Sequence, residues 1–134
     1  SGTPGYMAPE VMCRQNHGVA VDYFATGVIA YECMTGKRPY LGKDRKEIKD
    51  QILSSQVQIK KTEIPSGWSR EAADFINKLI KRKPAHRLGL NGPDEVKEHP
   101  WFRNFDWNKL YQKQIPSPFT PPHQQDNFDA RYIN

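Results

Sequence analysis

A chain of 134 residues with 20 lysines and arginines against 15 aspartates and glutamates carries a formal charge of +5. That length closes one hydrophobic core and is too short for two ordinary domains. With 37% hydrophobic and 26% charged residues it is neither a disordered polyelectrolyte nor a membrane protein, and two cysteines, Cys13 and Cys33, exclude a disulfide-dense scaffold.

The opening SGTPGYMAPE is broken by Gly2, Pro4, Gly5 and Pro9 and reads as a structured loop. It carries no basic-plus-apolar leader, which sets the expectation of an intracellular protein, cytoplasmic or else nuclear. Residues 19–34 read as a helix apolar on nearly every side and ended by Gly36. Such a helix should be the centre of the core, with Asp22 and Glu32 as its polar exceptions. Its apolar run is interrupted by Asp22 and falls short of the roughly 20 residues of a bilayer span. After Pro39, residues 44–54 predict a surface helix with Ile48 and Ile52 on one stripe. Residues 56–64 alternate only weakly and read as a loop.

Ser69 can cap a helix running to about Lys81, whose buried face is Ala72, Phe75, Ile76, Leu79 and Ile80. Pro93 at a first helical position, with Asp94 and Glu95 behind it, signals a short helix ending near His99. From Asn104 the texture becomes polar and proline-rich, with Phe105, Trp107, Tyr111, Phe119, Phe128 and Tyr132 spaced through it. This segment cannot build a core of its own, so its aromatics should dock on a neighbouring surface or stay exposed. The expected organisation is a helical unit over 1–103 and an extended tail over 104–134.

Basic residues gather at Lys60-Lys61 and at Lys78, Lys81, Arg82, Lys83 and Arg87. Cations suit helix C-termini, and no zinc-finger spacing, recognition helix or aromatic RNA motif accompanies them, so nucleic acid is not an expected partner. Cys13 and His17 could approach one another, but no second pair with zinc spacing appears and no metal is expected. Cys33, within the apolar helix, reads as a small core residue. Asp22 and Glu32 are ten residues apart, about 15 Å along a helix axis, too far for a glycosidase-type carboxylate pair. A carboxylate in so apolar a helix needs donors, a cation or a way to solvent. Asp22 is therefore expected to tie down a neighbouring loop, and Glu32 to face a pocket or partner.

SGTPGYMAPE, then VDYFATGVIAYEC, then PAHRLGL closely resemble the second half of the large lobe of a eukaryotic protein kinase. Met7-Ala8-Pro9-Glu10 matches the Ala-Pro-Glu end of the activation segment. HPWF at 99–102, FDW at 105–107, PFTP at 118–121 and NFD at 127–129 resemble the basophilic serine/threonine group that includes the cyclic-nucleotide-dependent and ribosomal-protein S6 kinases. The resemblance implies a mainly α, incomplete domain: the lower part of the large lobe with an extended proline- and aromatic-containing tail.

It also implies roles. Thr3 and Asp22 would support the catalytic loop; Gly2, Thr3, Pro4 and Met7 would shape the pocket beside the phosphoacceptor. Glu32 would receive an arginine two positions before that acceptor, Glu10 would pair with Arg87, and Phe128 would approach the adenine pocket. Gly5 stands where cyclic-nucleotide-dependent relatives carry a glutamate, which removes one acidic contact to a basic substrate.

The sequence contains no glycine-rich phosphate loop, no Val-Ala-Ile-Lys lysine, no His-Arg-Asp loop and no Asp-Phe-Gly. ATP and magnesium are thus implied for a full-length enzyme and not for these residues alone. The expected partners are the remainder of the kinase domain, basic serine/threonine peptides or proteins, and an upstream activating kinase. Ser1 is a weak phosphosite candidate. A chain opening inside a family motif reads as part of a longer enzyme; the alternative is a kinase-derived, non-catalytic helical module that binds peptides or partners.

Overall fold

The computed structural model describes residues 4–119. Within them the chain forms two compact units, one ending at Arg103 and the next starting at Asn104. The fold is mainly α, as the sequence predicts, and among the described residues there is no strand.

The first unit holds α1 (Pro9–Met12), α2 (Ala20–Thr35), α3 (Arg45–Ser54), α4 (Arg70–Leu79) and α5 (Pro93–Lys97). Short 3-10 turns lie at Pro4–Tyr6, Lys61–Glu63, Pro84–His86 and Pro100–Phe102. The opening segment is therefore more regular than a loop. Pro9 lacks an N–H that a first turn would leave unpaired anyway, so the residue that breaks a preceding run also starts α1.

α2 ends where Gly36 takes a left-handed φ of 76° and its N–H donates to the Glu32 carbonyl at 2.8 Å. Only glycine adopts that conformation without cost, and the chain turns back on itself there. The helix buries Ala20, Phe24, Gly27, Val28, Tyr31 and Met34. A Cβ at Gly27 would lie 2.7 Å from Leu79 Cβ, so the missing side chain is what lets α2 and α4 approach so closely. Phe24, Val28 and Ile76 lose all exposure at this seam, each burial stabilising by about 1.5–3 kcal/mol.

The opposite side of α2 is different from the all-round burial the sequence suggests. Val19 just before the helix and Asp22, Thr26, Ile29 and Cys33 along it are exposed, at the three- and four-residue spacing of one helical stripe. Cys33 is thus a surface thiol rather than a core residue. An apolar pattern shows that a face needs cover but not which neighbour provides it, and the first unit covers only one side.

Side-chain caps and amides fix the remaining elements. Asp44 accepts from the Glu47 N–H to start α3, and Ser69 accepts from the Ala72 N–H to start α4. α4 buries Ala72, Ala73, Phe75, Ile76 and Leu79, with Ile80 at its C-cap. Residues 56–60 run extended and are held from α4 rather than by a strand partner. Asn77 accepts from the Ile59 N–H at 2.8 Å and donates to the Ile59 carbonyl at 3.0 Å. Arg82 donates to the carbonyls of Ile52 and Leu53, satisfying groups that the end of α3 leaves open.

Phe75 gathers His99, Trp101 and Phe102, each with ring centroids 5.2 Å from its own. The buried His99 has its Nε2 2.8 Å from Asp74 and accepts from the Trp101 N–H at Nδ1. Because Nδ1 accepts, the ring proton sits on Nε2 and is donated to the carboxylate.

In the second unit the tail is less extended than its prolines suggest. Asp106 accepts from the Lys109 N–H and starts a short helix, α6 (Trp107–Tyr111). The Phe105 and Trp107 rings pack edge to face at 4.7 Å, while Tyr111 and Phe119 are exposed.

Candidate functional site

Two glutamates of the first unit face arginines, in contrasting surroundings. Glu10 lies in the first turn of α1 and is buried; Arg87 follows the Pro84–His86 turn and is buried as well. Arg87 Nη1 donates to Glu10 Oε2 at 2.7 Å, and Nη2 to Oε1 at 3.0 Å. The other three donors of the guanidinium go to the carbonyls of Lys81, Ala20 and Arg82. The group also lies over the Phe24 ring, 5.0 Å from its centroid. Every N–H of the fork is used, which is the condition for a charge to be tolerated in a dry site. One side chain thus joins α1, the start of α2 and the segment after α4. The guanidinium has no donor left for a ligand to meet there.

Glu32 closes α2 on the other side of its role. Its Oε2 accepts from the Tyr6 hydroxyl at 2.6 Å, and its Oε1 lies 3.4 Å from Arg38 Nε. Arg38 also covers the Tyr6 ring, at 5.1 Å from its centroid. The side chains of Arg38 and Glu32 are 42% and 32% exposed, whereas those of Arg87 and Glu10 are 0% and 4%. The hydrogen bond to Glu32 is the main cause that raises the Tyr6 phenol above its ordinary value, so the phenol remains a donor. Glu32 does face solvent, but it has a local cation, which the sequence did not announce. Arg38 is six residues away and is brought back by the reversal at Gly36; the signal was an arginine two residues beyond a helix-ending glycine.

Gly5 is buried beside the same cluster: a Cβ there would lie 3.6 Å from Arg38 Cδ and Nη1. Met7 is half-buried and packs on the core. Pro4 opens the 3-10 turn that carries Tyr6. Asp22 lies in the first turn of α2 on its exposed stripe. Among the described residues no donor meets its carboxylate and it ties down no loop. Gly2, Thr3 and Phe128 lie outside the described residues.

Two further carboxylates are held by structural contacts. Burial works against ionisation of Asp74, but hydrogen bonds from Lys78 and His99 outweigh it and hold the carboxyl below its ordinary value. The Asn91 side chain and the Gly89 N–H do the same for Glu95. Both contacts to Asp74 fall on Oδ2, and its half-exposed side chain borders a shallow pocket beside Arg70 and Asn77. Among the described residues, no three His, Cys, Asp or Glu side chains gather where they could hold a metal ion. No described helix is long and apolar enough to cross a membrane.

A family model described as protein kinase domain matches residues 1–102. The chain is 46% identical over 140 aligned residues to ribosomal protein S6 kinase 2 alpha of Gallus gallus, covering 99% of this chain and 18% of that protein. It is 45% identical to ribosomal protein S6 kinase alpha-1 of Homo sapiens, again over 99% of this chain and 18% of the relative. For ribosomal protein S6 kinase 2 beta of Xenopus laevis the identity is 43%, with 99% and 20% covered. The chain therefore spans about a fifth of the length of these curated relatives.

Proposed function

The chain belongs to the protein kinase domain family, and from that premise we propose that these residues hold the peptide substrate and support the catalytic loop of an ATP-dependent serine/threonine kinase that prefers basic substrates. The observation that carries the reading is the Glu32 carboxylate. It lies near the end of α2, it is oriented by Tyr6, and it remains a third exposed. An arginine two positions before the phosphoacceptor fits it by charge and by the forked geometry of guanidinium on carboxylate. The Pro4–Tyr6 turn and Met7 stand next to Tyr6 in the chain and would border the same peptide.

Asp22 takes the second role. Its carboxylate, which no donor meets among the described residues, stands on a stripe of Val19, Thr26, Ile29 and Cys33, a surface with apolar groups to bury and one strong acceptor to satisfy. The backbone N–H groups of a catalytic loop suit that acceptor. Thr3 would act beside it, and Phe128 in the tail would approach the adenine.

The residues present do not themselves fit ATP or magnesium. Their sequence has no phosphate loop, no paired lysine and no aspartate in a metal-binding kinase motif. Phosphoryl transfer depends on positioning and concentrated positive charge around the transferred group, and this chain contributes to the positioning. A polypeptide of these 134 residues alone is expected to incorporate no radiolabel into peptide above a mock-purified control.

The direct test is a pair of peptides differing only by Arg or Ala two residues before the serine, assayed with the active kinase that carries this chain. The wild-type Arg/Ala ratio of kcat/KM should exceed about 10. Glu32→Gln should reduce it by the worth of a partly desolvated charge pair, about 2 to 5 kcal/mol. A ratio below about 10, or one that Glu32→Gln leaves unchanged, would make Glu32 a structural acid.

A further inference from the structure

Resting on the reading of Glu32 as the acceptor for a substrate arginine, we infer that Arg38 is a built-in competitor for that subsite: it occupies Glu32 in the empty enzyme and must be displaced when a basic peptide binds.

The geometry separates a permanent pair from a replaceable one. Charge-assisted hydrogen bonds between guanidinium and carboxylate run at about 2.7–2.9 Å and are commonly bidentate. Arg38 reaches Glu32 through Nε alone, at 3.4 Å. The terminal nitrogens, which form the better fork, are not on the carboxylate. Tyr6 holds the other oxygen, Oε2, so one anchor of Glu32 stays in place when Arg38 leaves. An incoming arginine presents two parallel N–H groups and exchanges a long single contact for a short double one.

Arg38 nevertheless competes well for its strength, because it is tethered. Six residues and the left-handed turn at Gly36 keep it beside Glu32, so it binds at a high effective concentration. It also keeps a second contact: the Tyr6 ring already lies under its guanidinium, and Gly5 puts no side chain of its own beside Cδ and Nη1. A cation–π contact persists in solvent and does not need the carboxylate. The consequence is graded specificity. Substrates lacking the arginine meet a carboxylate already neutralised, whereas basic substrates pay the displacement of Arg38 and are preferred less sharply than Glu32 alone would dictate.

The experiment measures kcat/KM for the Arg and Ala peptides with wild type, Arg38→Gln, Glu32→Gln and the double variant of the intact kinase. Arg38→Gln should raise the Arg/Ala ratio about two- to five-fold, the worth of a half-exposed ion pair. The gain should appear in KM for the arginine peptide rather than in kcat, and Arg38→Lys should return most of the ratio to the wild-type value. In the Glu32→Gln background Arg38→Gln should do nothing. If Arg38→Gln leaves the ratio unchanged or lowers it while Glu32→Gln still collapses it, the competitor is refuted and the substrate reading survives. If Glu32→Gln itself leaves the ratio intact, the substrate reading falls and the competitor with it. Arg38 is half-exposed, and Arg38→Leu provides a second neutral variant should the amide misfold; a ratio unchanged in that variant refutes the proposal equally.

Discussion

Arg87 and Arg38 each face a glutamate within one folded unit, and burial makes them different devices. Around Arg87 water is excluded and five protein acceptors replace it; around Arg38 one long contact shares the guanidinium with solvent and an aromatic ring. A buried charge pair gains little over a hydrophobic pair but is ruinous to break, because the survivor is left charged and dry. An exposed pair gains little and loses little. The first is thus suited to holding three chain segments in register, the second to being exchanged for another cation. The same two residue types are suited to structure or to recognition according to what surrounds them.

The largest effect should come from breaking the buried pair. Arg87→Ala leaves Glu10 without a cation and takes a donor from the carbonyls of Lys81, Ala20 and Arg82, and denaturant unfolding of the kinase should lose about 3–5 kcal/mol. A loss below about 1 kcal/mol would put the pair in effective contact with water and erase the contrast.

A buried but neutral contact should fall between the extremes. Asn77→Ala strips both hydrogen bonds from the backbone of Ile59, which is buried. An unsatisfied buried group costs about 1–3 kcal/mol, and unfolding melts of this variant should fall in that range. A cost equal to that of Arg87→Ala would show that burial alone, without charge, sets the scale. Arg38→Ala belongs at the bottom, with a change in unfolding free energy of about 0–1 kcal/mol.

Acid pH offers a milder probe of the same distinction through Asp74, which is half-exposed yet holds the buried His99. Its carboxyl is depressed on folding, by hydrogen bonds from Lys78 and His99 that outweigh its burial. A depressed carboxyl contributes stability that is fully present above its unfolded value and is lost as pH falls through the folded one. Wild type should therefore lose stability on acidification below about pH 4, near the ordinary carboxyl value, and Asp74→Asn should show a shallower acid limb. Identical acid limbs would mean that the contact is too exposed to couple to folding.

Most of the helical framework was legible in the chain because its signals are local. Gly36, Ser69 and Pro93 mark a stop and two starts, and the five apolar residues of α4 repeat at helical spacing. The helix after Asp106 was hidden by the prolines that follow it, although the aspartate cap was there to read. Cys33 was misplaced because an apolar helix gives no hint of which side its partner covers. At the site, Glu32 stood out as a polar exception at the end of α2. Its pairing with Arg38 depends on a chain reversal, and its hydrogen bond with Tyr6 spans 26 residues, so neither is a pattern within a window. Arg87 and Glu10 are 77 residues apart, and only the kinase-like motifs, not composition, suggested joining them.

The proposed division between a glutamate that holds the fold and a glutamate that reads the substrate is tested most directly by one crossed measurement: unfolding midpoint and Arg/Ala peptide discrimination, both determined for Glu10→Gln and Glu32→Gln in the intact kinase. Glu10→Gln should lower the midpoint strongly while the enzyme that remains folded discriminates as wild type does. Glu32→Gln should leave the midpoint nearly unmoved and collapse the discrimination. If Glu32→Gln unfolds the protein as readily as Glu10→Gln, or if Glu10→Gln erases discrimination in the folded fraction, burial does not separate the two roles and the account fails.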